Sequence, residues 1–189
     1  SYATSLNDLA ILSMKMGAFE KAEPLHLEAK AIRAEVLGEK HTDYAHSLNN
    51  LAILYDDMGS FEKAEPLYLE AKAIRTEVLG EKHPDYATSL NSLAALYSNM
   101  GSFEKAEPMS LEAKAVRGEV LGKNHPDYAT SLNNLANLYD NTGFFEKAEP
   151  LHLEAKAIRS EVLGGKRPDY ATSLNNLAML YDNMGSFEK

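Results

Sequence analysis

The chain has 189 residues, of which 44% are hydrophobic and 25% charged, with a formal net charge of −9 and no cysteine. So acidic a surface does not displace the counterions of DNA or RNA, which excludes nucleic acid as a partner class; the lack of thiols excludes disulfides and thiolate metal sites, suits a reducing compartment, and makes a cytoplasmic location the expectation. No apolar stretch approaches the roughly 20 residues that span a bilayer, and the chain opens inside a repeat and not with a charged and then apolar leader, so neither a membrane partner nor a targeting segment is expected.

Read from the N-terminus, the sequence returns every 42 residues: a glycine recurs at Gly17, Gly59, Gly101, Gly143 and Gly185 with no insertion between copies. The copies run over about 2–43, 44–85, 86–127 and 128–169, with a half copy at 170–189, and residues 44–85 and 86–127 are identical at 31 of 42 positions. Each copy must bury its apolar face against a near-copy of itself, so residues 1–189 read as a single array that grows in one dimension.

Every copy predicts two helices, most plainly in the third. Pro84 suits a first helical turn and Asp85 sits favourably at the positive helix end, so the His-Pro-Asp element opens a helix over about Pro84 to Asn99. Its buried stripe is Leu90, Leu93, Ala94 and Tyr97, and Gly101 supplies the left-handed residue that ends it. Ser102 is then the expected cap of a second helix from about Phe103 to Leu121, with Phe103, Ala106, Ala113, Val116 and Val120 inward and Gly122 as the stop. Pro24, Pro66, Pro108 and Pro150 fall about five residues into each second helix, where the missing N–H predicts a kink or a late start, and a fixed bend fits their identical placement better than a hinge. Nothing alternates with period two over a useful length, so the fold class is all-α: helical hairpins, 4.5 in number by this count, nine helices in all.

These residues resemble the tetratricopeptide repeat. Tyr55, Ala52, Leu51 and Leu48 before Gly59, and Phe61, Ala64 and Ala71 after it, take that family's core positions. The 42-residue length and the segments HPDYATSLNNLA, LYDDMGSFEKAEPL, EAKAIR and EVLG are similar to the kinesin light chain variety of the repeat. The resemblance implies an alpha-alpha superhelix whose first helices line a concave groove for an extended peptide. It does not imply motor attachment, because the heptad segment which that family uses to join its motor is absent from these residues.

The face of the first helix that lies off the apolar stripe, His46, Asn49, Asn50, Ile53, Asp56 and Asp57, is expected to be uncovered. It is also where the copies differ: one slot holds Ile11, Ile53, Ala95, Asn137 and Met179, another Met14, Asp56, Ser98, Asp140 and Asp182. One slot on this face does not vary, being Asn7, Asn49, Asn91, Asn133 and Asn175. A carboxamide donates and accepts, as a peptide backbone does, so this row is the candidate ligand rail, with Asn50, Asn134, Asn176, Ile53, Asn137, Asp56, Asp140 and Asp182 beside it. The resembling family uses asparagines of this slot to hold peptide, whereas the structural alternative is a ladder that only sets repeat spacing. Lys15 is the sole cation among the face's carboxylates, which departs from relatives that grip acidic ligands, so a neutral or basic peptide is expected.

Catalysis finds no support. His41, His83 and His125 share a slot with Arg167, and His26 and His152 share one with Tyr68 and Ser110, so no histidine belongs to a fixed constellation. No metal-binding, phosphate-cradling or nucleophile motif is present, no cofactor is expected, and the repeated serine, as at Ser89, reads as a small packing residue. The expected function is a protein-binding adaptor; the alternatives are a self-associating structural array or the repeat part of a larger signalling protein. At the C-terminal end, Leu174, Leu177, Ala178 and Tyr181 are expected to stand partly in water and to offer a surface for homo-association.

Overall fold

The computed structural model describes residues 1–163 and 168–185; Gly165, Arg167 and Ser186 fall outside them. The described residues form nine helices and no strand: α1 (Tyr2–Lys15), α2 (Phe19–Leu37), α3 (Thr42–Asp57), α4 (Phe61–Leu79), α5 (Pro84–Asn99), α6 (Phe103–Val120), α7 (Pro126–Asn141), α8 (Phe145–Leu163) and α9 (Pro168–Asn183). They fall into two compact units. In Ser1–Glu81 the hairpins α1–α2 and α3–α4 pack through α2 against α3, and in Lys82–Lys189 α5 to α8 form two hairpins that join through α6 and α7, with α9 laid on α8.

The same local chemistry builds every hairpin. Proline at the first helical position and a histidine before it open α5 and α7: the Nδ1 atoms of His83 and His125 each accept the backbone N–H two residues on, at 3.1 Å, and His41 does the same for α3 at 3.0 Å. These histidines are helix caps, a role that the varying His/Arg slot concealed. Each first helix ends on a glycine with positive φ, as at Gly101 (φ 72°), and the N–H of Ser102 returns to the Tyr97 carbonyl at 2.7 Å, so that the chain reverses in a few residues.

Ser102 takes the cap position of α6, as expected, but its side chain makes no capping bond there. Ala18 and Phe144 hold the same place before α2 and α8, so the turn is set by backbone geometry. Nor does proline delay the second helices: α4 starts at Phe61, five residues ahead of Pro66, and the ring stands on the exposed side, where solvent can take the bond that the Glu62 carbonyl loses.

The stripe of α5 is buried as the sequence implies, and Leu96 and Tyr86 join it; Tyr86, Ala87, Leu90 and Ala113 make one core cluster, with Met109 and Val116 against it. On α6 the last inward position is not Val120, which is exposed, but Arg117. Its Nη1 donates to the Asp127 carbonyl at 3.0 Å and to Ser131 Oγ at 3.2 Å, and its Nη2 to Thr88 Oγ1 at 2.9 Å. One guanidinium thus ties α6 to the helix before it and the helix after it. Arg33 repeats the clasp with Asp43, Ser47 and Thr4, and Arg159 with Asp169, Ser173 and Thr130. The recurring serine is therefore a hydrogen-bond acceptor and not merely a small packing residue.

A lysine in place of Arg117 keeps the charge but cannot point at three acceptors in one plane. Arg117→Lys is expected to lower stability in urea by about 2–3 kcal/mol, the worth of one or two bonds to a charged donor; a variant that unfolds at the wild-type midpoint contradicts the clasp.

Candidate functional site

The asparagine row proves to be covered. Asn7, Asn49, Asn91 and Asn133 are only 4–7% exposed, which corrects the expectation of an open rail. Each lies one position beyond a leucine of the apolar stripe, near enough to the core for neighbouring helices to enclose it. Asn91 Nδ2 donates to Ser131 Oγ of α7 at 3.1 Å, and Asn133 Oδ1 accepts from Asn176 Nδ2 of α9 at 2.8 Å. Asn7 Oδ1 is 2.9 Å from Nδ1 of His26 on α2. Asn175, at the outer end of the second unit, is exposed.

The other predicted residues surround this row. Asn50, Asn134, Asn176, Asp56 and Asp140 are half-buried, while Ile53, Asn137 and Asp182 are exposed. Asn176 reaches Asn137 as well as Asn133, at 3.4 Å, and Asp140 Oδ1 accepts from Asn183 at 3.0 Å. In each unit part of this face sinks into a cavity. The first, about 320 Å³, is lined by Ile11, Met14, Lys15, His26, Asn50, Ile53 and Asp57. The second, about 170 Å³, is lined by Asn91, Ala94, Ala95, Ser98, Asn99, Ser110, Asn134, Asn137, Leu138 and Asn141. Every residue around the first cavity has its counterpart two repeats on around the second: Ile11 and Ala95, Met14 and Ser98, Lys15 and Asn99, His26 and Ser110, Asn50 and Asn134, Ile53 and Asn137, Asp57 and Asn141.

What the sequence reading missed is the second-helix slot that lines both cavities through His26 and Ser110. His26, Tyr68, Ser110 and His152 are all buried, at 0–2% exposure, although the slot varies as freely as a surface position. The signal was present in the spacing. Ser110 lies between Ala106 and Ala113, at i+4 and i−3 from two inward residues. Burial pushes the His26 and His152 imidazoles below their ordinary value; Asp140 opposes the shift at His152 and Arg159 adds to it.

The C-terminal strip is only partly open. Leu174, Ala178 and Met179 are exposed, but Leu177 and Leu180 are buried against Ala136 and Ala148, and Tyr181 is half-buried with its hydroxyl on Glu149 at 2.8 Å. The expectation that Leu177 stands in water is therefore corrected: α7 and α8 already cover it. Among the described residues no group of three or more His, Cys, Asp or Glu is placed to hold a metal ion, and no helix is long and apolar enough to cross a membrane.

An imidazole held neutral by burial stabilises the fold fully above its unfolded value near 6.5, and that contribution is lost as pH falls toward the lower folded value. The wild-type protein is accordingly expected to lose stability between pH 7 and pH 5. A double variant, His26→Tyr with His152→Tyr, places in both slots the residue that the second repeat already carries and should lose less; equal losses in thermal melts at the two pH values would contradict this.

The sequence profile of the tetratricopeptide repeat matches residues 1–77, 57–117, 93–143 and 141–189. Among solved structures, the chain is similar to BtubC from P. vanneervenii at 32% identity and a TM-score of 0.78, with 97% of this chain and 73% of that one covered. It is similar to a kinesin light chain-like protein of nearly identical TPR-like repeats from Podosopora anserina at 26% identity and a TM-score of 0.76, over 98% of this chain and 87% of that one. A Rap protein solved in complex with Competence and Sporulation Factor shares the fold at 17% identity and a TM-score of 0.81, over 97% of this chain and 49% of that one. No curated protein matches the sequence. The repeat is in general a non-catalytic protein-interaction fold, and it supports a protein-interaction scaffold here. With a profile that spans the chain, hairpins closed by the same glycine turn and neighbours built from the same unit, the chain belongs to the tetratricopeptide repeat family, in its 42-residue, kinesin light chain-like form.

Proposed function

We propose that this chain is an adaptor that holds an extended peptide along the exposed face of its first helices. The observation that carries the reading is the recurrence of a cavity at the same slots in both units, on the one face whose residues core packing does not dictate. Asn50, Asn134, Asn176 and Asn137 offer amides at its rim, with Ile53, Asp56, Asp140 and Asp182 beside them. Of the row Asn7, Asn49, Asn91, Asn133 and Asn175, the first four lie buried next to this face, and Asn133 holds the rim amide of Asn176. Packed helices lie about 8–10 Å apart and an extended chain advances about 3.3 Å per residue, so one rim amide meets roughly every third ligand residue and can bond its backbone whatever the side chains. The carboxylates at the rim favour a neutral or basic ligand over an acidic one.

A peptide array sorted by net charge, probed with the purified chain, tests the reading. Retention of neutral and basic peptides is expected. Asn134→Ala with Asn137→Ala should then weaken all retained sequences by about 1–3 kcal/mol, or roughly fivefold to 150-fold. An array that retains nothing, or an affinity untouched by the double substitution, would sink the proposal.

A further inference from the structure

The second cavity has a feature that its counterpart lacks. In the first repeat the His26 imidazole fills the back of the slot, and its Nδ1–H satisfies Asn7 Oδ1 at 2.9 Å. In the fourth repeat His152 fills the slot, and Asn133 Oδ1 is satisfied by Asn176. In the second, the Tyr68 ring fills it, and although Asn49 Oδ1 is also buried without a partner, the ring leaves no room beside it. In the third the slot holds only Ser110, which lines the cavity of about 170 Å³. Asn91 lines this cavity at 6% exposure; its Nδ2 is held by Ser131, and its Oδ1 is buried without a partner. A buried carbonyl oxygen left unpaired costs about 1–3 kcal/mol, so a donor brought in from outside gains what the fold has not supplied.

We infer that the Ser110 cavity is a subsite for a planar N–H donor, the imidazole of a histidine or the carboxamide of an asparagine or glutamine on a bound partner, which takes the place that His26 takes in the first repeat. The donor must be planar because the first repeat shows a ring in that space. It is taken as uncharged, or at most weakly basic, because Ala94, Ala95, Ser98, Asn134 and Asn137 offer no counter-charge in the wall. That the group arrives on a peptide rests on the groove reading above; that the cavity takes such a group does not, and the two fail separately.

The side-chain amide signals of asparagine in a 15N-labelled protein report the test, with 4-methylimidazole and propionamide as probes for the two sources and toluene as the apolar control. A saturable shift of the Asn91 signal is expected with one or both polar probes and not with toluene. Ser110→His, a residue that the same slot accepts in the first and fourth repeats, should fold, as judged by an unchanged amide spectrum elsewhere, and should lose the shift because its own ring occupies the space. An Asn91 signal that neither polar probe moves, that toluene moves equally, or that still moves in Ser110→His overturns the subsite, and none of these results bears on whether peptides lie along the rim.

Discussion

Burying a guanidinium demands acceptors for its terminal nitrogens, and that requirement fixes how one hairpin sits on the next within each unit. Arg117 finds acceptors on two different helices, one before it and one after it in the chain. Apolar contacts between near-identical repeats would permit small slides at little cost, since leucine meets leucine in several registers. Planar bonds to a threonine, a serine and a backbone carbonyl do not. The arginine therefore supplies direction to a stack whose hydrophobic contacts supply mainly cohesion. Loss of solvation lowers the pKa of Arg117 and Arg159 while neighbouring aspartates push the other way, as expected of charges held inside the fold and compensated there.

The tyrosines extend this logic to the edges. Tyr55, Tyr139 and Tyr181 each bury a ring in the first-helix face and place the hydroxyl on a glutamate of the preceding second helix, Glu23, Glu107 and Glu149, at 2.7–2.8 Å. Burial and the carboxylate together hold the Tyr55 and Tyr139 phenols protonated, up to about 12. Lys63 and Lys147 lie over the Tyr55 and Tyr139 rings at 4.9 Å from their centres, so one aromatic serves packing, a hydrogen bond and a cation contact at once.

Most of the fold was legible because its determinants are local and are repeated. Glycine at positive φ, proline at a first turn and leucines at helical spacing mean the same wherever they stand, and α5 begins and ends where those signs put it. The candidate site was harder to read because it depends on what a neighbouring helix covers. Asn91 occupies a position that helical geometry alone leaves at the border between core and groove, and only the presence of α7 with Ser131 decides that it is inside. Val120 and Arg117 failed in the opposite way: hydropathy put the valine inward, but the acceptors that make an inward arginine affordable belong to α5 and α7 and are invisible from α6. Variation misled too. A slot that holds His26, Tyr68, Ser110 and His152 looks like surface, whereas it is an interior position, and at His26 and Ser110 it borders a cavity.

That last slot separates the depth of the hollow from the chemistry of its rim. The residue setting the depth of the hollow stands on the second helix, behind the face that a ligand would meet, while the amides at the rim stand on the first. A change at that one position can therefore recast the hollow while the residues at the rim stay as they are. Because the repeats are near-interchangeable in sequence, recombination between them can also relocate a given hollow to another hairpin intact. Variety in such an array can thus enter through its backing and through the order of its units.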